Sequence, residues 1–255
     1  MPLNENVILL DIEGTITSIS FVKDTLFPYV STVLEDYIEK HWNDESFQQD
    51  LELLRAQAVI DSNVEGFVPI SSGNDNNAKK SVINNVLWQM KYDKKTTALK
   101  QLQGHIWKDG YESGLLKGHL YEDVLPVLNK LTDLGKKIYT YSSGSTEAQE
   151  YLFQYSMYGD VSSIFLKYFD TKMGPKGSET SYINIANEIN VNCSDILFLT
   201  DVVAEAEAAV KAGCNSILLA RPGNAPLDSE KSSKFRIIKT LDELLKIEYV
   251  VPKYI

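Results

Sequence analysis

Asp11 and Glu13 stand two residues apart, just after the apolar run Val7-Ile8-Leu9-Leu10 and just before Gly14 and Thr15. Carboxylates spaced this way offer hard oxygen ligands to a divalent cation, and one of them can attack phosphorus as a nucleophile. Far along the chain come groups with complementary chemistry: Ser142-Ser143-Gly144-Ser145, then Lys172 and Lys176, then Asp201 at the end of Leu197-Phe198-Leu199-Thr200. Hydroxyls and backbone N–H groups around Ser142 and Ser143 can hold phosphate oxygens at a helix start. A lysine neutralises charge that would repel an anionic nucleophile, and Mg2+ takes one or two protein carboxylates, here Asp11 and Asp201. Gly14 lets the first loop bring its own amides close to the same phosphate. Together these are the parts of a phosphoryl-transfer site.

Each residue has a plainer role when taken alone. Asp11 can cap a turn, Ser142 to Ser145 can be a turn and N-cap, Lys176 can be a solvated surface lysine, and Asp201 can be an N-cap. What favours chemistry is their placement at the ends of strands in one sheet.

That placement follows from the elements. Val7 to Leu10, a short apolar run with a turn signal behind it, reads as a buried parallel strand. From Phe21 to about His119 the pattern is helical: Phe21, Leu26, Val30, Val33, Leu34, Tyr37 and Ile38 recur at three- and four-residue steps. Asp50 to Ala58, Lys79 to Met90 and Thr96 to Trp107 also read as helices, and Asp61 to Asn77 as a loop. Alternation then begins: a helix from Glu122 to Leu134 stopped by Gly135, a strand from Lys137, a helix capped by Ser145, an apolar stretch from Val161 to Phe169, a helix capped by Ser178, a strand from Ile196 to Leu199, a helix closed by Gly213, and a strand from Ser216 to Leu219. A turn, Arg221-Pro222-Gly223-Asn224, follows, and Thr240 with Glu243 forms a capping box for a last helix. Strand and helix in alternation predict an α/β fold with a Rossmann-like parallel sheet, and parallel strands deliver their carboxyl ends to one edge. The expected organisation is a catalytic core of residues 1–17 and 120–255 with a helical domain, 18–119, inserted after the first strand.

Bulk properties narrow the class. The chain has 255 residues, 44% of them hydrophobic, enough for a substantial core. A formal charge of −10 argues against binding nucleic acid or an anionic membrane, though local groups can still hold a small anion. The two cysteines and three histidines show no zinc spacing. There is no signal-peptide pattern and no apolar run near the ~18 residues of a membrane span. An intracellular protein with reduced thiols is expected.

The order Asp11-Ile12-Glu13-Gly14-Thr15, Ser142, Lys176, Asp201 resembles the haloacid dehalogenase-like phosphohydrolases, whose first motif is Asp-x-Asp-Gly-Thr after a strand. Position 13 departs, carrying Glu where most family phosphatases carry Asp. With that departure, Asp11 to Thr15, Tyr141 to Ser145, Phe169 to Lys172, Leu197 to Asp201, Lys94 to Gly104 and Arg221 to Asn224 are similar to the enolase-phosphatase family of methionine salvage. The resemblance implies a Rossmann-like core with a helical cap. It also implies one Mg2+ per subunit and a monomer, cytoplasmic with nuclear residence left open. The substrate it implies is a small phosphorylated diketone, 5-(methylthio)-2,3-dioxopentyl phosphate, which is enolised and then dephosphorylated to the acireductone.

On this reading Asp11 is the nucleophile and Glu13 the acid and base. Mg2+ lies between Asp11, the backbone carbonyl of Glu13 and Asp201. Ser142 and Lys176 bind phosphate, Ser143 positions the substrate, and Glu205 is expected to brace the metal site. Glu13, one methylene longer than Asp, can reach the substrate carbon as an enolising base, a role the sequence leaves unassigned, while His105 and Trp107 are expected in the helical core. Two rivals are a capped phosphatase acting on a sugar phosphate or phosphoglycolate, and a phospho-receiver domain, which is small and has no hundred-residue insert.

Overall fold

The computed structural model describes residues 3–73 and 75–246, and its contacts divide the chain into two compact units, Met1–Val22 with Lys117–Ile255, and Lys23–Leu116. The division falls a few residues inside the expected insert of 18–119.

In the first unit, a six-stranded sheet runs in the order β3-β2-β1-β4-β5-β6. Its strands are β1 (Val7–Leu10), β2 (Lys137–Tyr141), β3 (Phe165–Phe169), β4 (Ile196–Thr200), β5 (Asn215–Leu219) and β6 (Arg236–Ile238), and every pairing is parallel. All four residues of β1 are buried, as a central strand covered on both faces requires. Strand order reverses at β1: β2 and β3 lie on one side of it, β4 to β6 on the other. Ligands of open α/β sheets bind outside the carboxyl ends at such a switch point. Register makes those ends flush, since Leu10 sits opposite both Thr140 and Leu199. Asp11, Ser142 and Asp201 therefore leave the sheet at nearly one level.

The helices Val124–Asp133, Thr146–Gln154, Glu179–Glu188 and Val203–Lys211 lead into or join strands β1 to β5, and the short helix Ser229–Ser232 lies between β5 and β6. Gly135 (φ +77) ends the first as predicted, with the Lys136 N–H donating back to Leu131 O at 3.0 Å. Ser145 caps the second, accepting from the Ala148 N–H at 3.2 Å. Ser178 stands at the N-cap of the third, but its hydroxyl pairs with Thr180 Oγ1 at 2.7 Å instead of capping. The last predicted helix is a 3-10 segment, Leu241–Lys246, and only half of the capping box forms there, with Glu243 Oε1 accepting the Thr240 N–H at 3.2 Å. Strand β6 was not anticipated: Arg236-Ile237-Ile238 is short, and on an edge strand only Ile238 is buried, so no alternation marks it. Cys193 and Cys214 are free thiols.

The second unit contains the helices Phe27–His41, Glu45–Ile60, Asn76–Lys91 and Thr97–Glu112. Val30, Leu34 and Ile38, then Phe47, Leu51 and Leu54, then Ala78, Val82 and Val86, and Leu99, Leu102 and Ile106 form its core. Their three- and four-residue spacing puts each set on one helix face. The predicted single helix from Phe21 to Ile38 is interrupted: Val22–Leu26 is π-helical, and the α-helix begins at Phe27 with Pro28 in its first turn, where a missing N–H does no harm. Helix Asn76–Lys91 starts earlier than expected because Asp75 caps it, accepting from the Ala78 N–H at 2.8 Å. His105 Nδ1 bonds the wholly buried Asp50 at 2.6 Å, and the Trp107 indole N–H donates to Leu26 O at 2.9 Å. Both are tied into this unit's interior, as expected. No helix of the described residues is long and apolar enough to cross a membrane.

Candidate active site

Asp11 is the first residue beyond β1. Its N–H still donates to Leu199 O at 2.8 Å, so the sheet fixes its backbone. Its Oδ1 accepts the Ile12 N–H at 2.8 Å and pairs with Lys176 Nζ at 2.6 Å. The chain then turns tightly, with Ile12 O accepting from the N–H groups of Thr15, Ile16 and Thr17 at 3.2, 2.9 and 2.9 Å. Gly14 adopts φ +76, and a Cβ there would lie 2.4 Å from Asp201 Oδ2. Only glycine meets both demands. Glu13, between the buried Asp11 and Gly14, is exposed.

The two lysines of the loop after β3 separate cleanly. The Lys172 side chain is 86% exposed, while that of Lys176 is 10% exposed and bridges Asp11 and Glu205, the latter at 2.8 Å. Two tyrosines pin this loop: Tyr141 donates to Gly174 O at 2.8 Å and Tyr182 to Lys176 O at 2.7 Å. Burial pulls the Lys176 ammonium down, but Asp11 and Glu205 outweigh burial and hold it above the ordinary lysine value.

Ser142 follows β2, its N–H donating to Phe169 O at 3.1 Å and its hydroxyl accepting from the Gly144 N–H at 3.3 Å. The buried Gln149 fastens the serine loop from behind, donating to Gly144 O and Phe169 O at 2.9 Å each.

Asp201 does not cap a helix, because the helix after it begins at Val203 with Val202 at the N-cap. Burial first, and then the charge of Asp11, push its carboxyl up to about 7. Glu205, in the first turn of that helix, is raised by burial and then by Asp11. It accepts from Lys176 and, at 2.8 Å, from Thr200 Oγ1. Its place is therefore beside the lysine, where the sequence pointed only to bracing of the metal site.

All six residues expected at the site (Asp11, Glu13, Ser142, Ser143, Lys176 and Asp201) line one cleft of about 240 Å³, together with Ile19, Val202 and Glu205. Asp11 and Glu205 share one ammonium, Asp201 lines the same cleft, and the charges of Asp11 and Glu205 raise Asp201 beyond the effect of burial. A divalent, oxygen-seeking cation fits that imbalance. Among the described residues no three acidic, histidine or cysteine side chains cage an ion by themselves. Mg2+ does not require such a cage, since it completes its shell with water and substrate phosphate.

Sequence reasoning missed Gln149, Tyr182 and the grip of Glu205 on Lys176. Each sits at a helical position whose contacts depend on packing, and nothing in their spacing from Lys176 or Ser142 announces them.

The haloacid dehalogenase-like hydrolase family matches residues 5–213. Enolase-phosphatase E1 of Acyrthosiphon pisum is 91% identical over 248 residues, covering 97% of this chain and 100% of that protein. Enolase-phosphatase E1 of Xenopus tropicalis is 49% identical over 248 residues, covering 96% of each. Among solved structures, the UTR4 protein of Saccharomyces cerevisiae superposes with a TM-score of 0.72 at 32% identity, covering 93% of this chain and 98% of that one.

Proposed function

The chain belongs to the haloacid dehalogenase-like hydrolases, and within them to the enolase-phosphatase E1 group, and from that membership we propose how its residues convert 5-(methylthio)-2,3-dioxopentyl phosphate to the acireductone and phosphate in methionine salvage. The observation that carries the site assignment is the ion pair of Lys176 with Asp11 at 2.6 Å, in a cleft also lined by Glu13, Ser142, Ser143 and Asp201.

In the phosphatase half, an Asp11 carboxylate oxygen attacks phosphorus, a P–O bond to Asp11 forms and the P–O bond to substrate carbon's oxygen breaks. Glu13 gives its proton to the leaving oxygen, then takes one from the water that attacks the aspartyl phosphate, which returns Asp11 and releases phosphate. Lys176 supports both states: it pairs with the free Asp11 carboxylate, and against the phosphoryl group it offsets the charge there. Ser142 and Ser143 hold and orient phosphate oxygens. Asp11, Asp201 and the Glu13 carbonyl would hold one Mg2+, whose chemistry is to offset the negative charge on the transferring group.

In the enolase half, Glu13 takes the proton α to the carbonyl. Its exposure and its extra methylene support that role over the buried carboxylates. In this reading the helical unit, 23–116, is the cap that reads the methylthio end. We place the enzyme in the cytoplasm, with nuclear residence open, as a monomer that uses neither nucleic acid nor membrane as partner. Two free thiols support an intracellular setting.

The test supplies the diketone phosphate with and without Mg2+ and follows enol formation and phosphate release separately. Asp11→Asn should lower phosphate release by about 10³-fold or more, as loss of a nucleophile does. Wild-type release that does not depend on Asp11 would overturn the assignment.

A further inference from the structure

The turn Arg221-Pro222-Gly223-Asn224 lies beyond β5 and outside the cleft, yet its two polar side chains reach the loop that carries Asp11 and Glu13. Pro222 followed by Gly223 at φ +86, with the Asn224 N–H bonded to Arg221 O at 3.2 Å, is the composition of a type II turn. The turn brings both side chains to the carbonyls of residues 14 and 15. Asn224 Nδ2 donates to Gly14 O at 2.9 Å and Arg221 Nε donates to Thr15 O at 3.0 Å. The next carbonyl, of Ile16, accepts from the Tyr121 N–H at 3.1 Å. Three consecutive peptide planes of the nucleophile loop are thus held through their oxygens.

Arg221 is itself anchored. Only 5% exposed, it pairs with Asp123 at 2.8 Å, donates to Lys239 O at 3.2 Å and lies 4.3 Å over the Tyr121 ring. Asp123 in turn accepts the Leu241 N–H. The loop is therefore referred to a rigid frame of three other chain segments. Gly14 shows how little freedom remains, since Asp201 packs where its Cβ would be.

We propose that Asn224 and Arg221 are positioning residues of the phosphatase reaction: by fixing the carbonyls of Gly14 and Thr15 they set the direction in which the Asp11–Glu13 loop presents its carboxylates. Neither touches the cleft, so their removal loosens aim without removing a reacting group. The inference rests on the site assignment above, because it supposes that Asp11 and Glu13 are the groups being aimed.

The test compares Asn224→Ala and Arg221→Lys with the wild type, using the diketone phosphate and, in parallel, p-nitrophenyl phosphate. Arg221→Lys keeps the charge facing Asp123, which preserves the fold if the alanine variant proves unstable, but a single ammonium cannot serve Asp123 and Thr15 O in the guanidinium's geometry. Misplacement of this kind lowers kcat by about tenfold to a hundredfold. KM should stay within about threefold, and both variants should remain folded at the assay temperature, as a melting curve checks. A folded variant with unchanged kcat, or one in which only KM rises, would overturn the proposal. A wild type that hydrolyses p-nitrophenyl phosphate but leaves the diketone phosphate untouched would sink the substrate assignment instead, with the kcat of the variants on p-nitrophenyl phosphate still deciding the positioning role.

Discussion

Glu13 is where this chain parts from the usual acid pair. It is exposed between two buried neighbours, Ile12 and Gly14, on a loop whose backbone is pinned by three bonds to Ile12 O. A side chain on a fixed backbone reaches as far as its own length allows, so shortening it by one methylene tests its role directly. Glu13→Asp should slow enolisation by about tenfold or more while altering phosphate release less, because proton transfer needs heavy-atom approach within hydrogen-bond reach. Parallel assays of enol absorbance and free phosphate make the comparison, and equal rates in both half-reactions would remove Glu13 as the base. The identity of the acids, serines and lysine was legible from residue type and order. The sequence order already singled out Lys176 over Lys172, and the structure adds that the two differ in burial, 10% against 86% exposed.

The serine loop depends on the helix Thr146–Gln154 behind it. Gln149 of that helix bonds Gly144 O and Phe169 O, and the helix's far end meets Gly118. The Gly118 N–H donates to Tyr155 O and its carbonyl accepts from Met157, both at 2.8 Å. A Cβ on Gly118 would lie 2.0 Å from the Leu152 carbonyl oxygen, which is backbone and cannot swing aside. Gly118→Ala should therefore destabilise the protein by about 1–3 kcal/mol through overpacking, read as a lower urea midpoint. A midpoint equal to wild type would show that the helix shifts freely. Periodicity and caps revealed such elements, whereas their ends moved wherever a neighbour supplied an unforeseen partner, as Asp75 did for the helix at Asn76. Edge strand β6 escaped notice because a short, mostly exposed strand carries almost no pattern.

The stability of the whole molecule should carry a signature of His119. The Ser18 N–H donates to its Nδ1 at 3.2 Å, and Thr17 Oγ1 lies 3.0 Å from the same atom, so that nitrogen bears no proton. Burial holds the imidazole below the ordinary histidine value of 6.5. A base depressed on folding is protonated first in the unfolded chain, so its contribution is complete above about 6.5 and is lost as pH falls below that. Asp201 acts in the opposite direction. Its carboxyl, raised to about 7, makes the folded state the better proton binder between the usual aspartate range and 7, so its destabilising effect fades as pH falls. Comparing wild type with His119→Gln cancels Asp201. Between pH 7.5 and 5.5 the wild type should lose about 1–2 °C of melting temperature relative to the variant, and parallel curves would remove His119 from the account.

At this scale the division between sequence and structure is clear. Composition, alternation and the order of a few polar residues were enough for a parallel sheet, a helical insertion and a set of polar side chains gathered in one cleft at the carboxyl edge, because strand direction alone delivers those ends together. Two things needed the folded chain: Glu205 placed on Lys176, and the distant turn at Arg221 and Asn224 gripping the first loop. Both rest on which side chains burial brings within bonding distance, a fact of packing that local pattern does not encode.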